Sequence, residues 1–268
     1  MIKSNNIKML KITQTMINQH STLIDLRSKL IEIPTEQKEC LHHLSYPFIP
    51  FFDENFYSSK NKVLLVGQET KGWQSRLSNF LNEDINFDTV IQNSVRRHQE
   101  LYSQSPKHSS FLQFLKKIKI QNHQEPIQWL NFYLFDYKKA SFNTLSKDKT
   151  YKDIFLYLQE LSILNLSQQI KDTQPRVIFF VGQYHNNFPK LEEKLHLTSN
   201  DRLLLKEPID KFSMKIWNDE ILILRVPHPA HFSRISNQAR NVALEYFKIF
   251  DQCETMAEFK EVIHHKLK

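Results

Sequence analysis

The sequence predicts an α/β protein: a single domain with a central, mostly parallel four-stranded sheet flanked by helices, and an N-terminal helical extension. Three observations carry this. Short apolar runs such as Val63–Val66, Val177–Val181 and Ile221–Val226 read as strands buried on both faces. Stretches of helical periodicity separate them. The chain has three glycines in 268 residues, and Gly67 and Gly182 each end one of these runs, in the shared continuation Val-Gly-Gln. Ordinary usage would supply about 19. A chain this poor in glycine keeps it where a turn needs positive φ or where backbone approaches a ligand.

From Lys8 to Ile33 apolar residues recur at helical spacing and stop before Pro34, which predicts one or two amphipathic helices. Residues 1–58 form the extension and 60–250 the core. Tyr46–Phe52 is an aromatic loop punctuated by prolines. Val63–Val66 is the first strand, and a helix is expected between Gly72 and Leu81. Residues 86–120 are polar and basic with helix-like stretches. Ile127–Phe135 reads as the second strand, Lys152–Lys171 as a long helix and Val177–Val181 as the third strand. Lys211–Trp217 is a further, more exposed strand. Ile221–Val226 is buried and ends at Pro227. Ser233–Phe250 and Met256–Leu267 are helical.

Composition narrows the function classes. Hydrophobic residues are 40%, enough for a sizeable core. The formal charge of +7 and a pI near 9.2 are compatible with a polyanionic partner. Two cysteines, Cys40 and Cys253, rule out a disulfide framework, a four-cysteine zinc site and a cysteine-ligated iron–sulfur cluster. They point to the reducing cytoplasm. No apolar run approaches membrane-spanning length, and the first residues lack a signal-peptide core.

In open α/β sheets ligands bind beyond the carboxyl ends of the strands, so three strand ends matter. Gly67-Gln68-Glu69-Thr70-Lys71-Gly72-Trp73 offers a carboxylate that acts as a general base or simply caps the next helix. Asn131, among aromatic neighbours, offers an amide that reads a base edge or makes a turn. Pro227-His228-Pro229-Ala230-His231-Phe232-Ser233-Arg234 holds a histidine between prolines, suited to donating a hydrogen bond to a reacting atom or to a structural role. Ser233 is a helix cap, and Arg225, Arg234 and Arg240 add charge. The His228/His231 spacing lacks the further ligands zinc requires, so no metal is expected.

These pieces, in this order, resemble the uracil-DNA glycosylase superfamily. Its first-family members carry G-Q-D-P-Y after the first strand, a pocket Asn ending a strand, a third strand running into W-G, and H-P-S-P-L-S at the end. The corresponding residues are Gly67–Lys71, Trp129-Leu130-Asn131, Phe180–Tyr184 and His228–Ser233. The resemblance implies a monofunctional DNA glycosylase without cofactor, acting on duplex or single-stranded DNA as a monomer. Glu69 stands at the water-activating Asp and His228 at the residue that stabilises the departing base. Gln68 contributes through its backbone amide, and Asn131 reads the pyrimidine edge. Trp73 or Phe80 stacks on the flipped base, and Phe232 is the wedge, with His231, Ser233 and Arg234 beside the DNA. Lys71 replaces the Tyr that excludes thymine. We therefore expect a pyrimidine enlarged at carbon 5, such as a hypermodified base of viral DNA. Uracil repair, a non-catalytic nucleic-acid-binding role and a nucleoside hydrolase are the alternatives.

Overall fold

A computed structural model describes residues 20–69, 72–103, 109–182, 187–197 and 211–267. In chain order the helices are α1 (described over residues 20–32), α2 (Thr35–Lys38), α3 (Phe87–Ser103), α4 (Ser110–Gln121), α5 (Lys152–Thr173), α6 (Phe188–Lys194), α7 (Arg234–Gln252) and α8 (Met256–Leu267). The strands are β1 (Val63–Gly67), β2 (Gln128–Asn131), β3 (Val177–Val181), β4 (Ser213–Trp217) and β5 (Ile221–Val226). Two compact units share the chain. One comprises Met1–Phe52, Glu69–Gln104 and Asn131–Leu166; the other comprises Asp53–Gln68, Ser105–Leu130 and Ser167–Lys268.

The second unit holds the sheet, in the order β2-β1-β3-β5-β4. β1, β3 and β5 are parallel, with Val63 opposite Val177 and Val177 opposite Leu222. Every residue of β1 and β3 is buried, which accounts for their unbroken apolar sequence. The sheet has five strands, not four. The fifth is the further strand expected at Lys211–Trp217, which joins the sheet as β4, antiparallel to β5 at the edge. Three residues, Asn218–Glu220, join them; Asn218 and Asp219 have φ of 50° and 59°, and the Glu220 amide donates to the Trp217 carbonyl at 3.0 Å. Such turns favour Asn and Asp because both tolerate positive φ.

Alternation along β3 sends Phe179 and Phe180 to opposite faces. The Phe179 ring meets Phe114 of α4 at 6.2 Å and Phe247 of α7 at 5.5 Å, while Phe180 meets Phe188 of α6 at 5.0 Å. Just before β1, Asn61 donates to Asn122 at 3.0 Å and to Asp251 at 2.7 Å, and His123 adds a 2.8 Å contact to the same carboxylate. Burial alone would raise the Asp251 carboxyl. The hydrogen bonds from Asn61 and His123 and the charge of Lys60 instead hold it below its ordinary value.

The first unit is helical, with an aromatic core that includes Phe142 stacked on Phe155 at 5.1 Å and tilted against Tyr133 at 5.2 Å. β2 stops at Asn131, short of the expected Phe135. Phe132–Phe135 are buried, but their backbone finds other partners: the Leu134 amide donates to Ser162 of α5 at 3.2 Å, and its carbonyl accepts from Phe48 at 2.7 Å. The helix expected after Gly72 is reduced to a 3-10 turn at Leu77–Leu81. α1 ends before Pro34 as its periodicity predicts, and the part of the reading on residues 8–19 lies outside the described residues.

Candidate functional site

At the carboxyl edge of the parallel strands, β1 delivers Gly67 and Gln68, β3 delivers Gly182, and β5 delivers Pro227 and His228. Gly182 has φ +148°, a region open to glycine, and its amide donates to the Val226 carbonyl at 3.0 Å. Gln68 is half-buried. Two of the three strand ends expected to matter, those at Gly67 and Pro227, thus lie with Gly182 along one rim of the second unit, whereas Asn131 belongs to the first.

His228 is half-buried, and its surroundings define its chemistry. The Ala230 amide donates to Nδ1 at 3.2 Å. A nitrogen that accepts carries no proton, which assigns the ring proton to Nε2. Phe111, in the first turn of α4, lies nearly parallel to the imidazole, with centroids 6.3 Å apart and planes inclined 19°. Trp129 of β2 backs Phe111 at 5.0 Å. α4 starts there because Ser109 caps it, accepting from the Leu112 amide at 3.3 Å.

The loop after β5 is fixed from below. Arg240 of α7 is buried and donates to the carbonyls of His228 at 3.1 Å and His231 at 3.0 Å, and to Asn237 Oδ1. The His231 amide closes a turn onto the His228 carbonyl at 2.9 Å. Arg240 thus anchors the loop through its carbonyls, and its charge is not displayed at the surface as expected. Arg225 likewise lies over the Phe188 ring, at 4.2 Å. His231 and Arg234 are exposed. Phe232 is 74% exposed, the most exposed of the large apolar side chains described. Ser233 accepts from the Ser236 amide at 3.2 Å and caps α7, as predicted.

The remaining predicted residues belong to the first unit. Glu69 is half-buried, and residues 72–76 are not helical, so no helix begins there for it to cap. Gly72 has φ +67°, while an added Cβ would come no nearer than 3.6 Å to Lys139. Conformation, not space, therefore requires glycine. Trp73 is buried: its amide donates to Asp136 Oδ2 at 3.1 Å, its indole N–H to Ser94 Oγ at 3.0 Å, and its ring packs on Phe48 at 5.1 Å. Phe80 is 0% exposed, packed against Tyr46 at 5.2 Å and Phe87 at 5.5 Å. Both rings are core residues here, and neither is presented for stacking on a base. Asn131 is buried as the last residue of β2. Lys71, with Thr70, Gln183 and Tyr184, lies outside the described residues.

Sequence reasoning missed three residues. Phe111 had a signal, an aromatic in the first turn of a serine-capped helix. Arg240 was noticed only for its charge. Asp136 had none: it is wholly buried, yet it holds both the Trp73 amide and the Lys139 amide at 3.1 Å and so fixes the backbone at Trp73. Among the described residues no three His, Cys, Asp or Glu side chains are grouped to hold a metal, and no helix is long and apolar enough to cross a membrane. No family model and no curated protein matches the chain.

Proposed function

We propose that the chain is a DNA glycosylase that hydrolyses the N-glycosidic bond of a flipped-out pyrimidine and leaves an abasic site. The observation that carries this is His228: a ring with Nδ1 occupied by a backbone amide, stacked on Phe111, at the carboxyl end of a parallel strand and four residues before an exposed phenylalanine. An imidazole with its proton on Nε2 suits a developing anion, because that N–H can donate to the negative charge as it forms.

In the reaction, the bond from sugar C1′ to the base nitrogen breaks and its electron pair leaves with the base. His228 Nε2–H stabilises the resulting charge on the pyrimidine oxygen. Glu69 stabilises positive charge on the sugar and accepts a proton from the water whose oxygen bonds to C1′. Phe232 fills the space the nucleotide vacates in the stack. Arg240 keeps the His228–His231 backbone in place and does not touch substrate.

The Thr70-Lys71 replacement removes the side chain that guards carbon 5 in the resembling family. We therefore assign the substrate class as pyrimidines enlarged at that carbon, and the role as defence against viral DNA. Mass spectrometry of the bases released from DNAs carrying uracil, thymine, and 5-substituted pyrimidines tests this. Release of a 5-substituted base, lost in Glu69→Gln and His228→Ala, is expected. Release of uracil alone would move the protein to repair. DNA binding with no release from any substrate would leave a non-catalytic binding protein.

A further inference from the structure

One face of α3 is unused by the core. Ser94 and His98 point inward: Ser94 Oγ accepts from the Trp73 indole at 3.0 Å, and His98 Nδ1 accepts from the Phe51 amide at 2.7 Å. Asn93, Arg96 and Arg97 follow at helical spacing on another face, after Asn86 at the helix start. These four residues line a cleft of about 600 Å3 in the first unit, together with Tyr46 and Gln74.

Each of these groups has spare capacity. Asn93 Oδ1 accepts from Arg96 at 3.1 Å, which orients that guanidinium, and the Arg96–Glu100 pair is loose at 4.0 Å between two exposed side chains. Arg97 is exposed and pairs with no acid among the described residues. Tyr46 is half-buried, its ring braced by Phe80 at 5.2 Å. Gln74 has φ +53°, a left-handed backbone that costs a non-glycine residue about 1 kcal/mol. Its Nε2 is buried with no hydrogen-bond partner among the described residues. A strained backbone that holds an unsatisfied amide beside a cleft is unusual in a region with only packing to do.

We propose that this cleft is a second nucleotide-binding site, taking one phosphodiester and the attached base from a DNA strand. Arg96 and Arg97 hold the phosphate, Tyr46 supplies a stacking surface, and Gln74 contacts the base edge. Naming the strand as DNA rests on the glycosylase reading.

The test is binding of a short fluorescent single-stranded DNA with no target base, measured in the Glu69→Gln background so that base release plays no part. Arg96→Ala/Arg97→Ala should weaken binding about 10-fold and flatten the slope of log K against log salt by about 1 to 2. Lys147→Ala/Lys149→Ala, which removes two exposed charges elsewhere on the same unit, should leave both nearly unchanged. Gln74→Ala should narrow the differences in affinity among homopolymers and keep the salt slope. Equal losses in the arginine and lysine pairs, or no loss in either, would overturn the proposal. So would displacement of the DNA from the unmutated cleft by inorganic phosphate alone at millimolar concentration, which would mean a simple anion site. A cleft that binds DNA while no base is ever released would sustain this inference and sink the glycosylase.

Discussion

The Ala230 amide donates to His228 Nδ1 at 3.2 Å, so a residue two positions along the same loop decides which nitrogen of the histidine carries the proton. Prolines on both sides of His228 stiffen that loop. His228→Ala should lower kcat for base release about 100- to 1000-fold, the usual cost of losing one preorganised donor. DNA affinity should stay within about twofold, because the imidazole matters most once charge develops. Single-turnover rates beside binding isotherms check both.

Arg240 acts at one remove. Its fork reaches carbonyls of residues 228 and 231, and a lysine ammonium cannot span both. Arg240→Lys should therefore cut kcat about 10-fold or more, with a fall in Tm of only a few degrees. A purely structural role would instead give a large loss of Tm and a normal rate in the surviving folded protein.

Phe232 has little packing to lose, so Phe232→Ala should leave Tm unchanged. Its effect should depend on the substrate. Release from duplex DNA should fall about 10-fold, while release from single strands, which need no unstacking wedge, should barely change. Phe232→Leu should restore most of the duplex rate.

His98 should govern stability in mild acid. Burial pushes its imidazole down to about 3, from an ordinary value of 6.5. A depressed folded value means that the unfolded chain takes up the proton first. The contribution is complete above about pH 6.5 and is lost as pH falls toward 3, by about 1.4 kcal/mol for each unit. Asp251, held below its ordinary 3.8, adds its own loss only beneath that value. Between pH 6.5 and 5 the unfolding free energy should therefore drop by about 2 kcal/mol. His98→Gln should flatten that slope even if it lowers stability overall, as urea titrations at the two pH values would show.

The strands that were easiest to read are those buried on both faces, because β1 and β3 are apolar throughout and need no partner to be recognised. The cap at Ser233 was legible for the same reason: its signal is local. β2 was overdrawn because Phe132–Phe135 are as apolar as a strand, and only the bonds from Leu134 to Ser162 and Phe48 show that the ladder has ended. Phe80 and Trp73 look like stacking candidates in sequence, since an aromatic side chain gives no local sign of whether it faces a cleft or the core. Phe111 was missed for the converse reason. Its contact with His228 spans 117 residues of chain, and only the packing of α4 brings the two rings together.

The division of the chain between its two units also constrains the order of folding. Neither unit is one continuous stretch: each recruits three separate segments. During synthesis the first unit has all its parts once Leu166 is made, whereas the sheet still lacks β3, β4 and β5 at that point. β1, whose sequence is wholly apolar, has only β2 beside it at that stage and must wait for its parallel partner β3, which emerges more than a hundred residues later. Such long-range pairing is slow and leaves a nascent chain open to aggregation, so the rate of strand assembly, more than final stability, should set how much folded protein a cell obtains.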